Sequence, residues 1–402
     1  EDNEILEKEF LKIREDFKFF ENNKDIIYLD SAAMTQKPNI VLEDVLNYYN
    51  NSSANVGRSL NRLDIQNRQY IENLRKNIIS FLNLKELNKE YIVKFTHNTT
   101  RAVEIVANKI YKTFKDGDKI NILFSENEHK ATISPWKKLK KKCEQDKRNI
   151  SIKIHNFSLD SGGYYDEDRI KEIVRNIPKD EKIILLLTSV HSISGMDMDV
   201  TLILKENKEI RKDIFVVIDA SQQMRNMRID YKKEEEPDII IFNTCCVIVA
   251  DKNITTINEY NDLKDGTINM GGLVSLGSSI RYLENIGMNK IKRYILNLKD
   301  YLIQSLKELN KEYKRPIIRM ITRDMCAICS SSSLGIVSFN VEGIESLEIA
   351  QILSDNNIYV RENNDCMNIQ KQSIRVSLGI YNTKQDIDIF IQTLKKIIDY
   401  YL

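Results

Sequence analysis

Three short polar segments each follow an apolar run, and their residue types could bind a flat, charged ligand. "HNTT" (residues 97–100) follows "IVKF", and "ENEHKAT" places His129 just beyond "INILF". "VVIDASQQ" puts Asp219 directly after four apolar residues. Because ligands of parallel sheets bind outside the carboxyl ends of the strands, we expect the three segments to share one site.

Each segment has a functional interpretation and a structural one. Thr99 and Thr100 at a helix N-terminus could bind a phosphate, or the segment could be an ordinary N-cap. His129 could stack on a flat ligand, or be a structural or surface histidine. Asp219 is followed by Gln222 three positions later. If the strand end is buried, the Asp219 carboxylate needs a cationic or hydrogen-bonding partner. A protonated ring nitrogen of a ligand would serve, and a role as a helix N-cap would serve equally well.

Alternating strand-like and helix-like patterns must position these residues. Continuous apolar runs separated by amphipathic stretches predict a mainly parallel sheet covered on both faces, an α/β domain over residues 28–272. Residues 273–402 predict a long linking helix and a smaller α+β domain. Residues 1–27 are expected to pack near that smaller domain. The strand-like runs of the large domain are "IVKF", "KINILF", "IILLLTSV" and "IFVVIDA".

Composition excludes several classes of protein. The chain has 402 residues, 42% of them hydrophobic and 30% charged, with a net charge of +1, so nothing favours binding to nucleic acid or an anionic membrane. No apolar run has the roughly 18 residues that a membrane helix needs. Six cysteines favour a reducing compartment: the cytosol, or a plastid or mitochondrial matrix if a targeting segment was removed.

A series of collinear motifs carries a resemblance to a known family. "YLDSAAMTQKP" near the start is similar to the opening of the class II, SUF-type cysteine desulfurases, which belong to the class V aminotransferase group of fold-type-I pyridoxal-phosphate (PLP) enzymes. The later matches follow in the same order. They are "TTRAVEIVAN", "EHKATISPW", "VVIDASQ", "DGTIN" followed by "GG", "VREN" with "DC", and "RVSLGIYNT".

The resemblance implies a role for each candidate residue. Thr99 and Thr100 would hold the cofactor phosphate, and Thr267 would reach the phosphate of a partner subunit. His129 would stack on the pyridine ring, Asp219 would pair with its nitrogen and Gln222 would bond its oxygen. Arg361 would lie near the substrate, Arg375 would clamp the substrate carboxylate, and Cys366 would carry the persulfide.

The segment that should hold the Schiff-base lysine departs from the family. "DIIIFNTCCVIVADKN" (residues 238–253) has no lysine before Lys252, at the far end of the second apolar run. Either Cys246 replaces the lysine, or the lysine and its turn are missing and two strands are joined; the second alignment is the better one. A thiol cannot replace the amine in a Schiff base.

Other positions depart as well. Ser192 stands nearest to an expected asparagine, Gly57 replaces a histidine, and Asp365 and Met367 replace small residues beside Cys366. The stretch 254–265 is shorter than in the family. "CAIC" (residues 326–329) lacks the second ligand pair of a structural zinc site, so we predict no metal.

Two classes of function remain. The first is a degenerate desulfurase, a pseudoenzyme of sulfur supply for iron–sulfur cluster assembly that binds a sulfur acceptor of SufE type or an active paralogue. The second is an active cysteine desulfurase, or the similar selenocysteine lyase, whose lysine loop is absent from this sequence. The resemblance implies a homodimer in both cases.

Overall fold

A seven-stranded sheet organises the large domain. The structure is a computed structural model that describes residues 2–402 except 58, 147, 161–162, 229, 234, 243–246, 263–265, 323–332 and 364–371. The strands of both domains, in chain order, are β1 (Ile27–Tyr28), β2 (Tyr91–Phe95), β3 (Lys119–Ser125), β4 (Ser151–Phe157), β5 (Lys182–Thr188), β6 (Phe215–Asp219), β7 (Ile239–Phe242), β8 (Val247–Asp251), β9 (Ile318–Met320), β10 (Ile336–Val341), β11 (Ile358–Tyr359), β12 (Arg361–Asn363) and β13 (Ser373–Ser377).

The order of the large sheet is β2-β8-β7-β6-β5-β3-β4. Strands β3 to β7 run parallel to one another, and β8 is antiparallel to both β7 and β2. Four of the central strands are buried along almost their whole length, which explains why they are nearly continuous apolar runs rather than alternating ones. The predicted α/β domain is therefore present.

Helices cover both faces of this sheet, and others belong to the small domain and the N-terminal segment. They are α1 (Asp2–Glu15), α2 (Lys18–Asn22), α3 (Asn39–Asn51), α4 (Arg62–Phe81), α5 (Thr99–Tyr111), α6 (Lys130–Gln145), α7 (Glu167–Asn176), α8 (Val200–Ile210), α9 (Thr255–Asn258), α10 (Met270–Ile286), α11 (Met288–Lys311), α12 (Ser346–Asp355) and α13 (Lys384–Tyr401). α5 and α6 bury one face of the sheet, and α4, α7 and α8 pack on the other. Within the described residues, no helix combines the length and apolar character of a bilayer span.

A four-stranded antiparallel sheet, β12-β13-β10-β9, forms the centre of the small domain. α11 and α12 pack against it, and α13 packs against both helices and places Phe390 beside Phe339 of β10. The N-terminal segment contacts this domain: β1 pairs with β11, and Arg14 forms an ion pair with Asp386 at 3.0 Å between Nη1 and Oδ2. These contacts attach the opening motif to the small domain.

The expected linking helix is two helices, α10 and α11, separated at Gly287. Gly287 has a φ of +96°, a conformation that side-chain-bearing residues rarely adopt, and its amide donates to the carbonyl of Leu283. The apolar pattern continues through both helices, so periodicity alone did not reveal the break.

Candidate cofactor and substrate site

Asp219 ends β6 at the carboxyl edge of the large sheet, as predicted. Its side chain is buried, and each oxygen accepts one hydrogen bond from a neutral donor. The Thr132 hydroxyl donates to Oδ2 at 2.7 Å, and the Ser221 amide donates to Oδ1 at 2.9 Å. Among the described residues no cation pairs with Asp219, so the carboxylate charge lacks the partner that burial demands.

Glu128 supplies a second buried carboxyl group beside Asp219. It is 2% exposed and accepts hydrogen bonds from the hydroxyls of Tyr165 and Thr188. Burial raises the pKa of Glu128 to about 7; the two hydrogen bonds oppose this rise, and the Asp219 charge adds to it. Sequence reasoning missed Glu128, although it directly precedes His129 in the quoted motif.

His129 and Gln222 lie close to this edge, and the side chain of each already forms a hydrogen bond to the backbone. His129 is exposed and is the N-cap of α6: its Nδ1 accepts from the Ala131 amide at 3.1 Å. The Gln222 Nε2 donates to the Ala32 carbonyl at 3.1 Å. The sequence left a structural role open for His129, and the structure shows one, because the His129 side chain caps α6.

Thr99 and Thr100 form the first turn of α5, the position expected of a phosphate site. The N-cap is Asn98, whose side chain accepts from the Arg101 amide at 2.8 Å. Thr267 is exposed and lines a cavity of about 70 Å³ together with His97 of the same chain. Asn98 uses only one of the free backbone amides of the first turn. The N-cap and phosphate interpretations therefore apply to neighbouring residues, the N-cap to Asn98 and the phosphate site to the two threonines.

Arg361 and Arg375 lie at the small-domain end of the site and share one carboxylate, that of Asp30. The two arginines are directly opposite each other on β12 and β13, a pairing that like charges disfavour. The carboxylate of Asp30 offsets the repulsion between the two arginines, because its Oδ2 lies 2.9 Å from Arg361 Nη2 and its Oδ1 lies 3.3 Å from Arg375 Nη2. Arg375 Nη1 also donates to the backbone carbonyl of Ser192 at 3.1 Å. Asp30 belongs to the opening motif, but sequence reasoning gave it no role.

The segment that should hold the lysine is an antiparallel hairpin. β7 pairs with β8 from Ile239↔Ala250 to Phe242↔Val247, so only residues 243–246 connect the two strands. The prediction of two joined strands is confirmed. Lys252 lies beyond the far end of β8, where its Nζ is 2.9 Å from Glu90 Oε1.

Several predicted positions fall outside the described residues. They are Cys245, Cys246, Asp365, Cys366, Met367 and the "CAIC" segment at 326–329. The persulfide role of Cys366 thus stays a prediction. Within the described part of the chain, no cluster of His, Cys, Asp or Glu side chains has the arrangement of a metal site.

Comparison with known proteins decides the family. The Aminotransferase class-V family model matches residues 27–244 and 246–390. The chain belongs to this family. The break in the match falls within the connection between β7 and β8, where the lysine was expected.

The relatives of this class V aminotransferase include proteins described as cysteine desulfurases. One from Wigglesworthia glossinidia brevipalpis is 28% identical over 96% of this chain and 97% of its own length. Cysteine desulfurase SufS of Plasmodium falciparum is 26% identical over 78% of this chain and 64% of its own length. The apo structure of cysteine desulfurase from Thermococcus onnurineus NA1 superposes with a TM-score of 0.78 at 23% identity, covering 96% of this chain and 98% of that one. The predicted fold-type-I architecture is confirmed.

The family implies pyridoxal phosphate, and the charges at the sheet edge fit it. Two buried carboxyl groups, Glu128 and Asp219, have no cationic partner among the described residues, and the protonated nitrogen of a pyridine ring is such a partner. Thr99, Thr100, His129 and Gln222 lie at or near the ends of the same strands. The chemistry of the residues present thus fits the cofactor.

Proposed function

We propose that this protein is a cysteine-desulfurase-like member of the class V aminotransferases that acts in sulfur supply for iron–sulfur cluster assembly without itself desulfurising free cysteine. The β7–β8 hairpin carries the proposal, because its strands and connection contain no lysine and pair residue by residue. Lys252, next in sequence, is committed to Glu90 at the opposite end of β8.

The remaining site residues have binding roles in this proposal. Asp219 pairs with the pyridinium nitrogen, Thr99 and Thr100 bind the phosphate, and His129 and Gln222 contact the ring; Thr267 serves the phosphate of a partner subunit. When bound, pyridoxal phosphate supplies an electron sink. Arg375 and Arg361 bind the carboxylate of an amino-acid ligand such as cysteine. Some of the ion pairs that they form with Asp30 must break when the ligand binds.

A second candidate is an active cysteine desulfurase, or selenocysteine lyase, that forms a persulfide on Cys366. The survival of Asp219, Gln222 and Arg375 favours it. It requires that the natural protein contain a lysine loop between β7 and β8 that this sequence lacks. A transcript read across residues 238–252 distinguishes the two candidates directly.

The cofactor test uses borohydride reduction. The protein is incubated with pyridoxal phosphate, reduced with borohydride and mapped by peptide mass spectrometry. We expect no visible absorbance from lysine-bound cofactor and no reduced adduct in the site, because the amine that would form it is missing. An adduct on a lysine that lines the site would favour the second candidate.

We further propose a homodimer, as the resemblance implies. Leu42, Leu46 and Tyr49 are exposed at i, i+4 and i+7 of α3, and Leu60 just before α4 is 86% exposed. Exposed apolar side chains on one helix face are typical of a protein interface. Light scattering should give twice the chain mass of 47.0 kDa, and Leu46→Glu should shift the protein toward the monomer. A wild-type monomer at micromolar concentration would contradict this proposal.

The sulfur-transfer partner is an acceptor of SufE type or an active paralogue. Both follow from the proposed place in sulfur supply. Co-purification of the tagged protein with each candidate, compared with the same experiment on the Leu46→Glu variant, separates a paralogue bound through the α3 face from an acceptor bound elsewhere.

A further inference from the structure

Glu128 lies in a buried hydrogen-bond network whose other members are neutral. The hydroxyls of Tyr165 and Thr188 donate to its two carboxyl oxygens. The Tyr165 oxygen also accepts from the Thr188 amide at 2.8 Å, and the Thr188 carbonyl lies 3.3 Å from that oxygen as a second acceptor for the phenol proton. Burial and the adjacent Glu128 raise the pKa of Tyr165 well above its usual range, so the phenol keeps its proton.

This network can satisfy the carboxyl group with or without a proton. When Glu128 is ionised, the phenol proton of Tyr165 is donated to the carboxylate. When Glu128 is protonated, its own O–H can donate to the phenol oxygen, and the phenol proton turns to the Thr188 carbonyl. A hydroxyl can act as donor or acceptor, so the same side-chain positions accommodate both states of Glu128.

Two threonines connect Glu128 to Asp219. Thr188, which donates to Glu128, is paired with Asp219 in the register of β5 and β6. Neighbouring strands lie about 4.8 Å apart, so Thr188 is next to both carboxyl-bearing residues. Thr132, four residues after Glu128 in the chain, donates to Asp219 Oδ2 at 2.7 Å. The two carboxyl groups are therefore held at the same end of one strand pair.

Among the described residues, the elements around Glu128 bring no cation to it. His191, in the segment after β5, is buried; its Nε2 lies 3.2 Å from the Asn127 carbonyl, and its Nδ1 accepts from the Ser194 amide at 3.2 Å. The neutral ring satisfies both contacts, and burial lowers the pKa of His191 to about 4, so this histidine is uncharged at neutral pH. The titratable neighbours in sequence are exposed to solvent; they are Glu126, His129 and Lys130.

The charge on Glu128 thus depends on what happens at Asp219. Burial and the Asp219 charge raise the pKa of Glu128 to about 7, whereas the hydrogen bonds from Thr188 and Tyr165 oppose this rise. Two nearby carboxylates repel each other, and a cation that pairs with one of them stabilises the ionised form of the other. A cation at Asp219 should therefore displace the proton of Glu128.

We propose that Glu128 and Asp219 are a coupled pair, in which Glu128 keeps its proton until a cationic ring pairs with Asp219 and then releases that proton to the solvent. Asp219 is the direct partner of the ring nitrogen, and Glu128 is a positioning residue that adds a second negative charge behind it. The coupling of the two carboxyl groups is independent of the proposed function. The release of a proton when pyridoxal phosphate binds rests on it.

The first test needs no cofactor. Isotope labelling of the glutamate carboxyl carbons allows their titration to be followed by NMR. We expect one carboxyl group to titrate near pH 7, and its signal should be missing from Glu128→Gln. Asp219→Asn keeps the shape of the side chain and removes its charge, so the midpoint of this titration should move to lower pH. Asp230→Asn changes an exposed aspartate after β6 and should leave the midpoint in place.

Two outcomes of this titration overturn the coupling. The first is that no glutamate titrates near neutral pH. The second is that Asp219→Asn moves the midpoint no further than Asp230→Asn does.

The second test counts the protons released on binding. Calorimetry with pyridoxal phosphate at pH 7, in buffers that differ in ionisation enthalpy, gives this number for the wild type and for Glu128→Gln. Protons from the cofactor itself are common to both proteins. The wild type should release roughly half a proton more, because a group with a pKa near 7 is about half protonated at that pH. Glu126→Gln should match the wild type, and equal release by the wild type and Glu128→Gln overturns the inference.

The outcomes separate this inference from the proposed function. If the cofactor binds and the proton release is equal, the proposed function stands and the role of Glu128 is overturned. If the cofactor does not bind, the proposed function fails, and the NMR midpoints still decide whether the two carboxyl groups are coupled.

Discussion

The two ends of the candidate site present charged groups of opposite sign. At the sheet edge, Glu128 and Asp219 are two buried carboxyl groups that no described residue pairs with a cation. At the small-domain end, Arg361 and Arg375 lie directly opposite each other and both pair with Asp30. A cationic ring would suit the first end, and the carboxylate of a ligand would suit the second. The strands β7 and β8 and their connection contain no lysine, whereas these charged groups are present, which supports the proposed non-covalent binding.

The largest expected effect concerns turnover. Incubation with cysteine and pyridoxal phosphate should yield no more alanine than free cofactor does, because neither β7 nor β8 provides an amine. Alanine is measured by amino-acid analysis, with heat-denatured protein as the control. Alanine formation that Cys366→Ser abolishes would show instead that both ends of the site still serve catalysis.

The next prediction isolates Glu128 at the sheet edge. Its pKa is about 7 in the folded chain and 4.5 for an ordinary glutamate, so its contribution to stability is fully present below pH 4.5 and is lost as pH rises through 7. Glu128→Gln cannot ionise and should avoid that loss. Denaturant unfolding at pH 5 and pH 8 should show the wild type losing roughly 3 kcal/mol more than the variant.

The control for this prediction is Glu126→Gln, which changes an exposed glutamate two residues earlier. It should retain the pH dependence of the wild type. If Glu128→Gln and the wild type lose equal stability between the two pH values, Glu128 is ionised throughout and the sheet edge carries two full negative charges.

A smaller effect is expected from the cofactor itself. Pyridoxal phosphate at about ten times its dissociation constant should stabilise the folded chain by roughly 1.4 kcal/mol, or about 2 °C in melting temperature. Asp219→Ala should abolish this rise, because it removes the partner of the ring nitrogen. Asp230→Ala, an exposed aspartate on the same segment, should not. A wild-type protein that millimolar cofactor leaves unshifted would mean that the retained residues no longer bind it.

The smallest effect is expected at Lys252. Its ion pair with Glu90 joins side chains that are 49% and 74% exposed, so solvent screens the attraction. Lys252→Ala should change the free energy of unfolding by less than about 0.5 kcal/mol. It should also leave the cofactor-dependent rise in melting temperature unchanged. A lost rise would identify Lys252 as the missing anchor.

Sequence reasoning located what depends on local pattern. Asp219 follows an apolar run, so its place at a strand end was predictable, and the joined strands β7 and β8 followed from two adjacent runs with no Gly- or Pro-rich turn between them. Gly287 was not recognised as a break, because α10 and α11 share one apolar periodicity.

The roles of Asp30 and Glu128 could not be predicted in the same way. Each depends on contacts far apart in sequence: Asp30 with residues more than 300 positions away, and Glu128 with Tyr165 and Thr188. A charged residue in a motif gives no sign of whether a partner exists until the fold brings the segments together. The unbalanced charge of the site is therefore a property of the tertiary structure.

The short connection between β7 and β8 also affects how the large sheet can assemble. Four residues (243–246) close this pair, whereas nineteen (220–238) separate β6 from β7. The entropic cost of closing the shorter connection is lower by roughly 1.4 kcal/mol, before the rigidity of either segment is considered. Every other neighbouring pair in the sheet joins strands through a longer stretch of chain. The β7–β8 pair is thus the pairing whose formation requires the least ordering of chain, and it offers β6 and β2 a preformed edge on either side.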